Sequence, residues 1–329
     1  MAIKKKEFDY KAKYSTSTKY KEENFYYCGE AFLNACGLPG PIMGGLNMFL
    51  GHSNTAKTNA LILSAVDAQK KGHLPVFIIT EKKWSWKHAV QLGLQATQDE
   101  DGEWVGDFIF NDGFKYIEQA ADFINEILSE QEKGNIPRDL LFLWDSVGSI
   151  PCKMTYDGKG GKMANASVLQ DTIGLGIAGR IADSKKEDYP YYNTLCIVNQ
   201  PWVDMPDNPF GQPEIKAKGG TSIWLASALV FLFGNQKKAG INHIDAVKGG
   251  RTISYAIRTK ISVLKNHING LAFKDGKIIA VHNGFIDDTK ESIDKYKKEY
   301  SDYWNKLMGG GDGEIVLIES PSSGFEDSE

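Results

Sequence analysis

The chain has 329 residues, 42% of them hydrophobic and 24% charged, with a formal net charge of -4. That is enough apolar side chain to bury a real core, and it suggests one large α/β domain, alone or with small appendages. The acidic balance argues against a surface that grips nucleic acid throughout but leaves room for a local basic channel. No apolar run reaches the roughly eighteen residues of a membrane span, and MAIKKKEFDY lacks a secretory signal's apolar stretch, so the cytoplasm is the expected compartment. Cys28, Cys36, Cys152 and Cys196 are scattered without paired spacing, which predicts ordinary thiols rather than disulfides or a zinc site.

In chain order, residues 1–30 read as a lysine- and tyrosine-rich arm, KKKEFDYKAKYSTSTKYK, with Phe8 and Tyr10 as its apolar anchors. LNMFLG predicts a strand running into GHSNTAKT, and TNALILSAVDAQKKG a helix with Leu61, Ala65 and Ala68 on one face. LPVFIIT predicts a buried strand ending at Glu81, DLLFLWDS one ending at Asp145, and NTLCIVNQ one ending at Asn199 and Gln200. SALVFLFG and TKISVLKNH add two more. Alternating strands and helices imply a largely parallel central sheet flanked by helices, with polar residues at the carboxyl ends of its strands, where such sheets bind ligands. FKDGKIIAVHNGFID predicts a hairpin, and the stretch from Asp287 one surface helix packing Ile293, Tyr296, Tyr300, Tyr303 and Trp304 on the core. MGGGDG reads as a flexible linker and the acidic remainder as a mobile tail. The organisation expected is an arm (1–30), a core (31–268), a short C-terminal hairpin and helix (269–308) and the tail (309–329).

GHSNTAKT follows the phosphate-loop pattern of Gly, four residues, Gly, Lys, Ser or Thr, except that Ala56 stands where the second glycine belongs. A strand, this loop and a helix opening at Lys-Thr supply what the motif needs. Amides of Gly51, Ser53, Asn54, Thr55, Ala56, Lys57, Thr58 and Asn59 can face phosphate oxygens, the helix N-terminus adds a favourable field, and Lys57 neutralises the outer phosphates. Thr58 would offer its hydroxyl to Mg²⁺. LLFLWDS, about ninety residues downstream, has the form of a magnesium-orienting Walker B strand ending in Asp145.

From these residues the chain resembles the RecA family. FLNACGLPGPIMGGLNMFLGHSNTAKT is similar to the family's phosphate-loop signature, and the non-glycine before Lys57 is shared with the UvsX recombinases of T-even-type phages. FIITEKKW, LFLWDSVGSI, LCIVNQPW, KAKGGTSIWLASALVFLFGN and TKISVLKNHI follow in the family's order, over residues 31–268. The resemblance implies a RecA-like P-loop ATPase core and a DNA-dependent ATPase using ATP and Mg²⁺. It implies self-association into a helical filament on single-stranded DNA, pairing with homologous duplex, a phage-encoded origin in a bacterial cytoplasm, and single-strand-binding or mediator proteins as further partners.

The same resemblance implies roles. Glu81 is the general base that orients water, Asp145 with Thr58 holds the metal, and Gln200, or else Asn199, senses the γ-phosphate. Lys265 and His267 reach the adjacent subunit's nucleotide; the family commonly has a second lysine where His267 stands, which puts that contribution in doubt. His88 falls where the family stacks a ring on adenine. DNA binding is expected in two segments without regular structure. The first, CKMTYDGKGGKMANASVLQ, offers Lys153, Lys159 and Lys162. The second, PWVDMPDNPFGQPEIKAKGG, offers Trp202, Phe210, Lys216, Lys218, Gly219 and Gly220. The arm is either a segment donated to the next subunit or an unstructured basic extension. A ring helicase and a non-hydrolysing DNA-binding scaffold on the same core are the alternative functions.

Overall fold

Strands that must be covered on both faces need apolar residues at odd and even positions alike, and six short runs here have that character. The structure, a computed structural model, describes residues 13–204, 214–218, 220–235, 241–248, 251–271, 273, 275–308 and 316–319. The runs become β1 (Leu46–Gly51), β2 (Leu74–Ile79), β5 (Ile109–Asn111), β6 (Leu140–Asp145), β7 (Thr194–Asn199) and β10 (Ser227–Phe233). They pair in parallel in the spatial order β10-β1-β7-β6-β2-β5. The carboxyl ends of β1, β2, β6 and β7 therefore open on one edge of the sheet.

Alternation sorts these strands between two cores. Phe49, Phe77, Leu141, Leu143, Cys196, Phe231 and Phe233 pack with Ala60, Leu61, Ala65 and Ala68 of α2 (Lys57–Lys70) and with Phe32 of α1 (Glu30–Cys36). Met48, Leu50, Val76, Ile78, Phe142, Trp144 and Ile197 face the other way. They meet Ile117, Ala120, Ile124 and Leu128 of α4 (Ile117–Glu132) and a helical run from Leu169 to Ile181 that ends within α7 (Ala178–Asp183). Between β2 and β5 lie α3 (Trp86–Gln91) and the hairpin of β3 (Ala96–Gln98) and β4 (Trp104–Gly106). Trp84, Trp86, Trp104, Phe77, Phe108 and Phe110 form one aromatic nest there, with Trp86 stacked on Trp104 at 5.7 Å.

Beyond β10 the sheet turns antiparallel through β12 (Arg251–Asn266), β13 (Gly276–Val281) and β14 (Gly284–Asp287). A further strand, β11 (Ile241–Lys248), folds back on β12. A third core joins Ile244, Ala246, Tyr255 and Ala256 to Tyr296, Trp304 and Met308 of the closing helices. The aromatic stripe is real, but its helix is two, α9 (Lys290–Glu299) and α10 (Ser301–Leu307), because Tyr300 between them leaves helical geometry at φ -110°, ψ 20°.

Other expectations are corrected. The first supposed irregular segment is largely helical: α5 (Lys153–Tyr156) is followed by α6 (Lys162–Leu169), in whose sequence KMANASVL the good helix formers outweigh the glycines before it. The second is a hairpin of β8 (Pro201–Asp204) and β9 (Glu214–Ala217), pairing Trp202 with Lys216, and Gly220 opens α8 (Gly220–Ala226). Phe210 and Gly219 lie outside the described residues, as do Phe8 and Tyr10. In the supposed mobile tail, Val316–Glu319 forms β15, paired with β11, since VLI is a short β-favouring run within an acidic stretch. Among the described residues no helix is long and apolar enough to cross a membrane.

The arm, from Lys19, lies on its own core. Tyr20 bridges Lys186, and Lys21 Nζ donates to the carbonyls of Ser184, Tyr189 and Tyr191 at 2.6–2.7 Å beside the Tyr189 and Tyr192 rings. Burial lowers the Lys21 pKa below its usual value, against attraction from Asp139 and Asp188. Removing the ammonium orphans three carbonyls. Lys21→Met should cost about 1–3 kcal/mol of unfolding free energy, read by denaturant titration.

Candidate functional site

The strand-end residues converge on a cavity of about 640 Å³. Ser53, Asn54, Thr55, Ala56, Lys57, Thr58 and Asn59 from the loop after β1 line it, with Glu81 after β2, His88 of α3, Asp145 of β6 and Gln200 after β7. Gly51 starts the loop in close contact with β10: a Cβ there would stand 2.5 Å from the Phe233 carbonyl oxygen. Only glycine permits that approach.

Ala56 is the substitution's consequence made visible. It caps the start of α2 in the left-handed region, φ 68° and ψ 20°, and Asn54 is left-handed as well at φ 61°. The loop thus has the backbone that a glycine would adopt without penalty, and keeps it with an alanine at about 1–2 kcal/mol. Glycine would add about 0.5–1 kcal/mol of unfolded-state entropy, which is the smaller effect. Ala56→Gly should therefore raise the unfolding free energy by about 0.5–1 kcal/mol, measured by denaturant titration without nucleotide.

The floor carries buried charge. Lys57 is 7% exposed and its Nζ donates to the His52 carbonyl at 2.5 Å and to Thr55 Oγ1 at 3.4 Å. Desolvation pulls its pKa down to about 8 against the opposing attraction of Asp145 and Glu81. Asp145, 8% exposed, accepts from Thr58 Oγ1 at 2.7 Å; burial pushes its carboxyl up to about 6, the Thr58 bond opposing and the Glu81 charge adding. The Asp145-Ser146 peptide is cis, and Ser146 Oγ donates to Glu81 Oε1 at 2.8 Å. Strand β2 stops at Ile79, two residues before Glu81, and a polar clasp takes over. Thr80 N donates to the Asp145 carbonyl and Thr80 Oγ1 to the Ser146 carbonyl, while Ser149 Oγ and Trp144 Nε1 donate to Thr80 Oγ1. The clasp fixes the two carboxylates relative to each other.

On the far side, His88 Nε2 bonds Asn59 Oδ1 at 2.9 Å. Sequence reading missed the facing wall: His243, Ser254, Tyr255 and Ile257 of the β11–β12 hairpin, then His282 and Trp304. His282 stacks on Tyr303 at 4.3 Å and bonds Tyr296 OH, and Gln91 Nε2 of α3 donates to Tyr303 OH. Burial lowers the pKa of both His88 and His282, with repulsion from His88 adding at His282, which favours the uncharged ring. An aromatic and imidazole wall opposite a lysine-bearing loop suits a flat heterocycle joined to an anionic chain. A partial signal was present in the alternation of Ile244 with Ala246 and of Ile253 with Tyr255 and Ile257, in two runs either side of two glycines.

Gln200 links the cavity to the β8–β9 hairpin. Its Oε1 accepts from Lys218 Nζ at 2.9 Å, its carbonyl accepts from Lys218 N, and Asn199 Nδ2 donates to the Lys218 carbonyl at 2.8 Å. Lys265 and His267 do not line the cavity. Lys265 Nζ donates to the Trp224 and Leu225 carbonyls at the end of α8, and His267 N to that of Ala228. Lys153 and Lys159 are exposed, Lys153 paired with Asp157. No protein-family model matches the chain, and neither does any curated protein.

Because the folded-state pKa of Asp145 is raised from its ordinary value of 3.8, its ionisation works against the fold. That contribution favours the native state below about pH 4 and is lost as pH rises through about 6. Asp145→Asn should exceed the wild type in stability by about 1–2 kcal/mol at pH 7, less than the full shift because Lys57 loses a counter-charge. The gap should close towards pH 4 in nucleotide-free thermal melts.

Proposed function

We propose that the chain is a RecA-family recombinase, nearest the UvsX-type phage branch, that uses ATP and Mg²⁺ to polymerise on single-stranded DNA and pair it with homologous duplex. What carries the reading is the convergence of Lys57, Thr58, Glu81, Asp145 and Gln200 on one cavity, with Gln200 bonded to the root of the hairpin read as a DNA-binding segment. The RecA-like form of the core is supported by the parallel order of its strands and by the phosphate-type loop after an inner one.

The donor set fits magnesium, since the Thr58 hydroxyl and Asp145 carboxylate are hard oxygens already 2.7 Å apart. Bound Mg²⁺ would screen the charge of the β- and γ-phosphates. Lys57 exchanges its carbonyl partner for phosphate oxygens, and their charge offsets the burial that depresses its pKa. Glu81, steadied by Ser146, orients water at the γ-phosphate and takes its proton. Gln200 turns its amide towards the γ-phosphate, which releases Lys218 from its acceptor and frees an ammonium at the hairpin root for DNA phosphate. Lys153, Lys159, Lys162, Trp202, Phe210, Lys216, Gly219 and Gly220 supply the remaining contacts of this reading. Lys265 and His267, outside their own chain's cavity, serve the neighbouring subunit's nucleotide.

The test is ATP turnover with and without single-stranded DNA. A rise of about tenfold or more is expected on adding DNA, and Lys57→Ala should abolish it. Glu81→Gln should cut kcat by about 10²–10⁴ while ATP-dependent DNA binding persists. The ratio kcat/KM, which reports the groups of the unliganded protein, should also fall as pH drops through about 6, where Asp145 takes up a proton. Undetectable DNA-stimulated hydrolysis would favour the scaffold, and closed rings rather than filaments in electron micrographs would favour the helicase.

A further inference from the structure

The β11–β12 hairpin projects past the main sheet. Strand β12 pairs with β10 over Ile261–Asn266 and with β13 over Ile257–Ile261, whereas among the described residues Arg251–Ala256 pairs with β11 alone. Its two strands nevertheless supply a wall of the cavity through His243, Ser254 and Tyr255, with His243 Nδ1 and Ser254 Oγ bonded at 2.9 Å. A two-stranded ribbon is marginal in water, and a third strand or a packed face is what makes one persist. Packing on Trp304 and Met308 covers one face. The third strand comes from the C-terminal segment: Val316–Glu319 pairs antiparallel with Ile244–Val247 along the outer edge of β11.

We infer that Val316–Glu319 is a strap for the nucleotide cavity: docked on β11 it holds the hairpin wall in place, and its docking and nucleotide binding therefore strengthen each other. The inference rests on the nucleotide reading above and adds to it a role for the C-terminal segment that operates through sheet pairing rather than through charge. Reciprocity fixes its form. If docking tightens nucleotide binding by some factor, nucleotide tightens docking by the same factor.

The experiment uses the full chain carrying Leu317→Pro and Ile318→Pro together. Alternate residues of an antiparallel strand bond across the ladder, so one of the two prolines must remove a donor. With MgADP as the probe, the variant should bind about fivefold or more weakly, its KM for ATP rising likewise while kcat stays within about twofold, a split that general unfolding would not give. In the wild type, saturating MgADP should slow hydrogen exchange of the 316–319 amides by a comparable factor, a measurement that needs no variant. Equal MgADP affinity in the two proteins, or 316–319 exchange indifferent to MgADP, overturns the strap and leaves the nucleotide reading standing. A wild-type chain that binds no MgADP overturns both.

Discussion

Lys57 at the start of α2 and Asp145 at the end of β6 are both buried on the floor of one cavity, and the surrounding architecture answers the electrostatic problem this creates. An ammonium and a carboxylate both below a tenth exposed are costly unless each has partners. Here the partners are makeshift: a loop carbonyl and a threonine hydroxyl for the lysine, another threonine hydroxyl for the carboxylate. Desolvation has shifted both groups towards neutrality. A cavity in this condition gains most from a ligand bringing dense negative charge together with a cation. The two-faced sheet supplies the rigidity, because the parallel strands that deliver site residues are packed on both faces.

The same edge joins the cavity to the β8–β9 hairpin. Asn199 and Gln200 hold Lys218 by backbone and side chain together, so the hairpin between them is clamped at its base by a residue that also lines the cavity. One carboxamide therefore touches both the cavity and the hairpin. The opposite wall is built otherwise, from aromatic rings and antiparallel strands, and is tied to α3 by the Gln91 to Tyr303 bond. Two walls of different construction face each other across the cavity.

How much of this was legible varies with the signal. The parallel strands announced themselves because burial on both faces writes an unbroken apolar run, as in LLFLWD and LCIVN. The loop residues were legible because spacing alone fixes Gly51, Lys57 and Thr58, and the structure brings Lys57 and Thr58 to one cavity with Glu81, His88, Asp145 and Gln200, while Gly51 stands at the loop's start outside the lining. The cavity's other wall was not, since Tyr255, His282 and Trp304 are far apart in sequence and meet only through tertiary packing. The helices at Lys153–Tyr156 and Lys162–Leu169 were obscured by the glycines between them, which carry the turn and not the segments. Strand β15 was masked by its acidic surroundings, where composition outweighed four consecutive apolar residues, Ile315 to Ile318.

The nest of Trp84, Trp86 and Trp104 beneath α3 has a use beyond packing. Trp86 begins the short helix that carries His88 to the cavity, and its indole lies against Trp104. Indole emission depends on stacking and on neighbouring dipoles, so a shift of that helix towards a ligand would alter the ultraviolet fluorescence of the unlabelled protein. Any movement of α3 is thereby readable without a label.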